Sequence, residues 1–328
     1  MNFLTKYIRG ISIFVFAIIV IFAFLFTNGG RKTERTIFVF DTVANISLSG
    51  KNLDAAIDEI SSVLSDLGNK YSKFRNSDIF AFNNLSPGET MSVKDETADL
   101  IRRCIEISES TGGAFDITTS ALSDLWQIKT AATPPSNDEI SLTLFKTGYE
   151  KLRLNGNILT KTEVSMDFGG VLKGVAADKV RTIAHNHNIK SGIVNLGGNV
   201  CLIGSKDGTP WTVGIVNPFS PGEVYLTVDA ENTNIITSGA YQRYFEYGGE
   251  IYHHIISPKT GYPAVSDVAS ATVISPDGTL ADALSTAIFV LGSEKGIETA
   301  NTHGVDVIII KKDGSVTATD GVKYTIKK

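Results

Sequence analysis

The sequence has few cysteines and lacks several common signatures of ligand binding. Its 328 residues include only two cysteines, Cys104 and Cys201. Two lone thiols are more often buried apolar side chains than a disulfide or a metal site. Neither the G-x-G-x-x-G dinucleotide pattern nor the Walker nucleotide pattern occurs. No internal repeat, low-complexity tract or long run of like charge is present. The sequence therefore argues against a repeat protein and against the two commonest nucleotide-binding loops.

Charge and composition narrow the class further. The formal net charge is -5, which argues against a non-specific grip on nucleic acid. Hydrophobic residues make up 42% and charged residues 20% of the chain. This balance is typical of a globular protein that can bury a large core.

The N-terminus combines basic residues with a long uncharged apolar run. Lys6 and Arg9 precede ISIFVFAIIVIFAFLF at residues 11–26. This pattern is typical of an export signal or a membrane anchor, although a spanning helix needs about 20 residues. Because no small-x-small cleavage site follows, we expect residues 1–30 to be an uncleaved anchor, with a cleaved signal peptide as the alternative. Both interpretations place the rest of the chain outside the cytoplasm, with a polar linker at 31–36 and one folded domain at 37–328.

Hydrophobic periodicity predicts a mixture of helices and strands in that domain. Because the two types do not alternate strictly, we expect an α+β fold. The predicted helices are 52–68, 94–110, 173–187, 279–291 and 293–303, the predicted strands are 37–50, 191–204, 211–216, 223–229 and 268–275, and the predicted hairpins are 149–162, turning on Asn155 and Gly156, and 305–321, turning on Asp313 and Gly314.

Two oxygen-bearing side chains lie opposite the apolar stripe of the helix predicted at 279–291. Asp282 and Thr286 are four residues apart, so they project about 40° apart around the helix. A carboxylate and a hydroxyl that converge in this way suit a hard cation such as Mg²⁺. The alternative is the ordinary polar face of an amphipathic helix, with an Asp that answers the helix dipole.

The segment SMDFGGVLKGVAAD, residues 165–178, offers a second candidate site. Asp167 precedes two glycines and a predicted helix, whose N-terminal N–H groups can bind an anion. Lys173 adds a positive charge in the first turn of that helix. The alternative interpretation is a glycine turn with Asp167 as the helix cap.

Several further motifs carry polar or aromatic groups. VNLGGNV, residues 194–200, suggests a strand bulge or a close backbone approach. TSGAYQRYF, residues 237–245, carries Ser238 and Arg243. His253 and His254 point to opposite sides of an extended segment, so they do not form a joint zinc site, and one of them is a candidate general base.

The order of these motifs resembles the ApbE family of FAD:protein FMN transferases. The resemblance covers about Phe38 to Tyr324. The motifs that carry it are, in family order, FDTVANISL, YSKFRNSDIFAFN, GGAFDIT, MDFGGVLKGVAAD, VNLGGNV, TSGAYQRYFEYGGEIYHHIISPKTGYP and ADALSTAIFVLG.

The resemblance implies a T-fold-like α+β architecture and a cleft that binds FAD, with Mg²⁺ on its pyrophosphate. It assigns Asp282 and Thr286 as metal ligands together with the backbone oxygen of Gly170. Phe40 stands where many members have Met, and Ala240 stands where many have an acidic residue. The positions that match FAD contacts are Phe40, Phe74, Ala114, Phe115, Asp116, Asp167, Lys173 and Ile256.

The reaction that the resemblance implies moves FMN from FAD to a Ser or Thr hydroxyl of an acceptor flavoprotein and releases AMP. Mg²⁺ and Lys173 would neutralise charge on the pyrophosphate, and His254 is the candidate base. The acceptor would be an exported or membrane-bound protein, and the enzyme would be held at the cell membrane by a single N-terminal anchor, with its catalytic domain on the extracytoplasmic side. Two alternatives are hydrolysis of FAD to FMN and AMP, and a non-catalytic exported flavin binder.

Overall fold

The computed structural model describes residues 32–327, which form sixteen strands and eight α-helices. The helices are α1 Leu53–Lys70, α2 Asp78–Asn83, α3 Asp95–Ser110, α4 Ser120–Trp126, α5 Asn137–Leu144, α6 Leu172–Asn186, α7 Gly278–Leu291 and α8 Ser293–His303. The strands are β1 Lys32–Val39, β2 Thr42–Ser49, β3 Thr90–Ser92, β4 Arg153–Asn155, β5 Ile158–Thr160, β6 Ser191–Leu196, β7 Asn199–Gly204, β8 Trp211–Val216, β9 Val224–Ala230, β10 Asn234–Gly239, β11 Tyr244–Tyr247, β12 Glu250–His253, β13 Val268–Ser275, β14 Asp306–Lys311, β15 Val316–Ala318 and β16 Tyr324–Ile326.

An eight-stranded antiparallel sheet organises the chain, in the order β1-β2-β6-β7-β10-β13-β14-β15. Three smaller sheets accompany it: β16-β9-β8, β3-β5-β4 and the two-stranded ribbon β11-β12. The α+β fold expected from the sequence is confirmed.

Both faces of the large sheet are buried, which explains the continuous apolar runs in its strands. Successive side chains of a strand point to opposite faces. In β14, Val307 and Ile309 belong to the core on the helical side, whereas Ile308 and Ile310 pack with Trp211 of the β16-β9-β8 sheet. The molecule is therefore layered as helices, large sheet and small sheet.

The crossing of α6 and α7 is close because both helices have a glycine at the contact. A Cβ atom on Gly174 would lie 2.1 Å from the carbonyl oxygen of Gly278, and one on Gly278 would lie 2.6 Å from the carbonyl oxygen of Gly174. Each helix also caps the other. Asp178 of α6 accepts hydrogen bonds from the N–H groups of Gly278 and Thr279, at 2.7 and 2.9 Å. In return, Asp282 of α7 accepts from the Gly174 N–H at 2.8 Å.

The structure corrects three details of the predicted elements. The strand predicted at 37–50 is the end of β1 and all of β2, joined by a turn in which Phe40 and Asp41 have φ of 54° and 56°. The strand predicted at 191–204 is the hairpin of β6 and β7. Its glycine pair is not a bulge but the two-residue turn, with positive φ at Gly197 and Gly198. The expected close approach is confirmed at Gly197, where a Cβ atom would lie 2.3 Å from Thr42 Oγ1.

The hairpin predicted at 305–321 is confirmed, with its turn at Asp313 and Gly314 between β14 and β15, whereas the hairpin predicted at 149–162 and the linker differ in detail. The β4–β5 hairpin turns one residue later than expected, since Asn155 pairs with Ile158. The polar segment predicted as a linker at 31–36 is part of β1 from Lys32 onward, paired with β2.

Two sequence expectations concern the cysteines and the membrane. Cys104 and Cys201 are free thiols, both buried, as expected for apolar core residues. Within 32–327, none of the helices has the length and apolarity needed to cross a bilayer. The predicted anchor at 11–26 lies outside the described residues.

Candidate active site

Asp282 lies inside the protein, not on an exposed polar face. It is 3% exposed because α7 is buried on almost every side. Its Oδ2 accepts a hydrogen bond from the Gly174 N–H at 2.8 Å, and its Oδ1 accepts from Asn199 Nδ2 at 3.0 Å. Burial raises the pKa of this carboxyl, while the charge of Lys173 acts in the opposite direction. The carboxylate thus caps α6. The sequence had suggested that N–H groups at the start of this helix could bind an anion, but the Gly174 N–H is already bonded to Asp282.

Thr286 lies one helical turn after Asp282 in α7, and Gly170 lies beside Thr286. A Cβ on Gly170 would be 3.8 Å from Thr286 Oγ1 and 3.5 Å from the ring of Phe115. Thr286 Oγ1 donates to the carbonyl of Asp282 at 3.4 Å and lies 3.3 Å from Ser238 Oγ. The structure therefore brings together the three residues that the resemblance assigned to the metal.

The oxygen atoms that these three residues offer suit Mg²⁺ in their chemistry. They are a carboxylate, a hydroxyl and a backbone carbonyl, all hard oxygen ligands. Among residues 32–327 Asp282 forms no salt bridge, although the charge of Lys173 acts on it, and a buried carboxylate is normally paired or bound to a metal. The described part of the chain contains no cluster of three His, Cys, Asp or Glu side chains that could hold a metal. Asp282, Thr286 and Gly170 are not such a cluster, because Asp282 is the one acidic residue among these three.

His254 occupies the root of the β11–β12 ribbon, close to Lys173. Its Nδ1 donates to the carbonyl of Arg243 at 3.3 Å, and its backbone N–H donates to the same oxygen at 3.1 Å. This contact leaves Nε2 as the acceptor of the neutral ring. Burial, together with the positive charges of Arg243 and Lys173, lowers the pKa of His254 to about 3. The ring is therefore neutral at physiological pH.

Its neighbour His253 has a different environment. It is 7% exposed, with Nε2 donating to the carbonyl of Ala264 at 3.1 Å and Nδ1 accepting from the Ile255 N–H at 3.3 Å. Its ring packs edge-on against Phe289. His253 is thus a core residue, and His254 remains the candidate base.

Asp167 is tied to a buried lysine that the sequence did not reveal as part of the site. Lys73 Nζ lies 2.9 Å from Asp167 Oδ2 and 2.8 Å from Asp124 Oδ1, and its side chain is only 6% exposed. Asp167 Oδ1 accepts from the Gly169 N–H at 2.8 Å. Asp167 does not cap α6: in the described chain the N-cap position is Val171, which makes no side-chain cap.

The aromatic residues assigned to FAD differ in exposure. Phe74 is 72% exposed, with Lys73 Nζ 5.0 Å from the centre of its ring. Phe40 is half-buried in the β1–β2 turn, where it packs against the core. Its neighbour Asp41 pairs with Lys129 at 2.9 Å.

Asp116 accepts hydrogen bonds on both carboxylate oxygens, and its assignment as a flavin contact stays a prediction. Its Oδ1 accepts from the N–H and hydroxyl of Thr118, both at 2.7 Å, and its Oδ2 accepts from the Tyr149 N–H at 2.9 Å. Two of these bonds come from Thr118, and the third comes from the start of the 3₁₀ turn Tyr149–Lys151. Asp116 therefore positions its neighbour Phe115 and holds that turn.

Ala114 and Ile256 both lie near Pro263. Ala114 borders an open cavity of about 490 Å³, which Pro263, Leu291 and Lys295 also line. Ile256 forms an isolated β-bridge with Pro263 and packs against the cluster of Trp126, Ile128 and Ile140.

Sequence reasoning missed the side chains that support the site from distant parts of the chain. Asn199 bonds Asp282, Ser238 bonds Ser285 and Thr286, and Lys73 pairs with Asp167. Each contact joins segments at least 47 residues apart. Local periodicity contains no signal for such contacts, although Ser238 and Asn199 stand in glycine-containing motifs noted above.

Comparisons with known proteins agree on one family. Residues 40–309 match the ApbE family. The FAD:protein FMN transferase of Treponema pallidum is 32% identical over 318 residues, which cover 89% of this chain and 88% of that protein. The FAD:protein FMN transferase of Escherichia coli K12 is 32% identical over 251 residues, 73% of this chain and 72% of that protein.

Solved structures give the same result. The crystal structure of the ApbE protein of Thermotoga maritima superposes with a TM-score of 0.83 at 33% identity, covering 88% of this chain and 97% of that one. The flavin transferase ApbE of Vibrio cholerae superposes with a TM-score of 0.80 at 27% identity, covering 89% and 98%.

Proposed function

This chain belongs to the ApbE family, and we propose that it is an FAD:protein FMN transferase that moves FMN from FAD to a Ser or Thr hydroxyl of an acceptor protein and releases AMP. The observation that carries the proposal is the meeting of Asp282, Thr286 and Gly170 at one corner, with Lys173 and His254 beside it. The names of the relatives support the same activity.

Asp282, Thr286 and the Gly170 carbonyl would hold Mg²⁺. When bound, the ion would neutralise negative charge on the pyrophosphate and orient its oxygens. Lys173, in the first turn of α6, would contribute a second positive charge to the same group. The cavity beside Ala114 falls within the size range of small-molecule sites and is the candidate place for the flavin ring.

The chemistry needs one proton transfer and one phosphoryl substitution. The acceptor hydroxyl gives its proton to His254 Nε2 while its oxygen forms a bond to the FMN phosphorus. The phosphoanhydride P–O bond breaks, and its bridging oxygen leaves with AMP. The carbonyl of Arg243 holds the His254 ring with Nδ1–H as donor, so Nε2 is the atom that can take the proton.

A histidine with a pKa of about 3 is a weak base until the substrate binds. Besides burial, the charges of Arg243 and Lys173 contribute to that low value. An anionic pyrophosphate near these cations would offset them, so the pKa of His254 would rise toward the working range when FAD is bound.

Incubation of the full-length chain with FAD, MgCl₂ and a candidate acceptor tests the proposal. Transfer gives a fluorescent acceptor band that survives denaturation, and this band should disappear when EDTA replaces MgCl₂. Free FMN and AMP without a labelled protein would instead identify an FAD hydrolase, and binding without turnover would identify a flavin carrier.

We also propose that residues 1–30 anchor the enzyme on the extracytoplasmic side of the cell membrane, where exported or membrane-bound flavoproteins would be the acceptors. The support is the apolar run at 11–26 behind Lys6 and Arg9. Cell fractionation and N-terminal sequencing of the mature chain test this. We expect a chain in the membrane fraction whose first residue is Met1 or lies close to it. A soluble exported chain that begins near residue 27 or later would refute the anchor.

A further inference from the structure

Arg243 lies at the edge of the candidate active site and has no side-chain partner in the described part of the chain. It follows the 3₁₀ turn Ala240–Gln242 and precedes β11, and its side chain is half-buried. Within residues 32–327 its guanidinium makes no hydrogen bond or ion pair. A guanidinium that is partly removed from water normally bonds a carboxylate, a carbonyl or a phosphate. Its isolation therefore points to a ligand.

The two carboxylates whose charges act on Arg243 already have other partners. Asp41 pairs with Lys129 at 2.9 Å, and Asp167 pairs with Lys73 at 2.9 Å. Arg243 is close enough for its charge to act on both of them. It is thus available to a negatively charged group that enters from outside.

The backbone of Arg243 places its side chain next to the candidate base. Its carbonyl oxygen accepts both the N–H and the Nδ1–H of His254, at 3.1 and 3.3 Å. The two residues therefore form the fixed root of the β11–β12 ribbon. A base that takes the proton of an acceptor hydroxyl must lie near the phosphorus that this hydroxyl attacks. The Arg243 guanidinium is close enough to His254 for its positive charge to act on that ring.

We propose that the Arg243 guanidinium binds the phosphate of the FMN half of FAD. This inference rests on the proposed function and adds a substrate-binding residue to it. A planar guanidinium matches two oxygens of a phosphate with parallel hydrogen bonds, which a lysine cannot reproduce. Arg243 would hold the transferred phosphate on the side of the acceptor, and Lys173 and Asp282 would face the bond that breaks.

Calorimetric titration of the full-length chain with FMN and with riboflavin tests the inference without requiring turnover. The two ligands differ only in the phosphate, so the ratio of their affinities measures phosphate binding. The variants are Arg243→Met, Arg243→Lys and, as a matched control, Arg75→Met. Arg75 is a nearby cation whose charge also reaches Asp41, but it is exposed and bonded to Asn69 at 2.8 Å.

We expect the native chain to bind FMN more tightly than riboflavin. Arg243→Met should reduce this preference about 10- to 100-fold, the usual effect of losing a charge-assisted hydrogen bond, with riboflavin affinity unchanged. Arg243→Lys should restore part of the preference, and Arg75→Met should keep all of it. Circular dichroism of each variant shows whether it is folded.

Three results would overturn the inference. If folded Arg243→Met or Arg243→Lys proteins keep the full preference for FMN, Arg243 does not bind the phosphate. If Arg75→Met loses the preference as much as Arg243→Met, the preference for FMN comes only from the overall positive charge around the site. If the native chain binds no flavin at all, the proposed function itself fails, which is distinguishable from the first two results.

Discussion

Replacing Asp282 tests two roles of this residue that the structure combines. As a proposed Mg²⁺ ligand it should be needed for metal binding. As a buried acceptor for the Gly174 N–H and Asn199 Nδ2 it should also hold α6 against α7. Thr286→Val provides the matched comparison, because valine keeps the shape of threonine and removes only a ligand oxygen.

The two variants should differ in intrinsic stability. Asp282→Ala leaves two buried donors without an acceptor, each worth about 1–3 kcal/mol, while it removes a carboxylate whose burial raises its pKa. We expect a net loss of about 2–4 kcal/mol in the free energy of unfolding. Thr286 is half-buried and makes only long contacts of 3.3 and 3.4 Å. Thr286→Val should therefore cost less than about 1 kcal/mol.

Urea unfolding with and without MgCl₂ separates the roles. A ligand that binds only the folded state stabilises it by about 2.7 kcal/mol at a hundredfold excess over its dissociation constant. The native chain should show such a gain, and both variants should lose most of it, whereas only Asp282→Ala should lose stability without metal. Full metal stabilisation in Thr286→Val, or native stability in metal-free Asp282→Ala, would refute the reasoning.

Three further predictions concern packing and protonation. Gly174→Ala should lower the free energy of unfolding in urea by about 3 kcal/mol or more, since its Cβ would lie 2.1 Å from a backbone oxygen of α7. Gly170→Ala meets only ordinary contacts and should keep the native stability. Equal losses in the two variants would contradict the packing account. Burial lowers the pKa of His253 to about 4 from 6.5, so the stability that its neutral form contributes is complete above pH 6.5 and is lost as the pH falls toward 4. About 2 kcal/mol of the free energy of unfolding should disappear between about pH 7 and about pH 5. A His253→Gln chain whose stability falls with the same slope would assign this loss to another group. NMR titration of the His254 ring should show a pKa that rises when FAD binds, and an unchanged value would argue against its role as the base.

The parts of the fold that follow from local periodicity were predictable. The helix predicted at 52–68 is α1, Leu53–Lys70, because its apolar residues recur on one face. The helix predicted at 293–303 has the bounds of α8. The two-residue turns inside predicted strands were missed, since alternation continues on both sides of a tight hairpin and conceals the reversal at Phe40 and Gly197.

The candidate site was predictable in its residues but not in its arrangement. The succession of motifs indicated Asp282, Thr286 and Gly170, and the structure places them together. Helical periodicity placed Asp282 opposite the apolar stripe, but it contained no sign that this side of α7 is buried. The Gly174 N–H of α6 and the Asn199 side chain of β7 meet Asp282 there. Neighbours from distant segments, such as Asn199, decide what a polar residue does, and a single sequence does not contain them.

The measurement that tests the central claim most directly follows the two phosphorus atoms of FAD. The full-length chain is incubated with MgCl₂ and membranes from cells that lack this enzyme, using FAD radiolabelled either in its FMN phosphate or in its AMP phosphate. The account predicts that label in the FMN phosphate appears on a denaturation-resistant, fluorescent protein band, while label in the AMP phosphate is released as AMP in equal amount. Label from both phosphates on the protein, or release of both as free FMN and AMP with no labelled band, would contradict it.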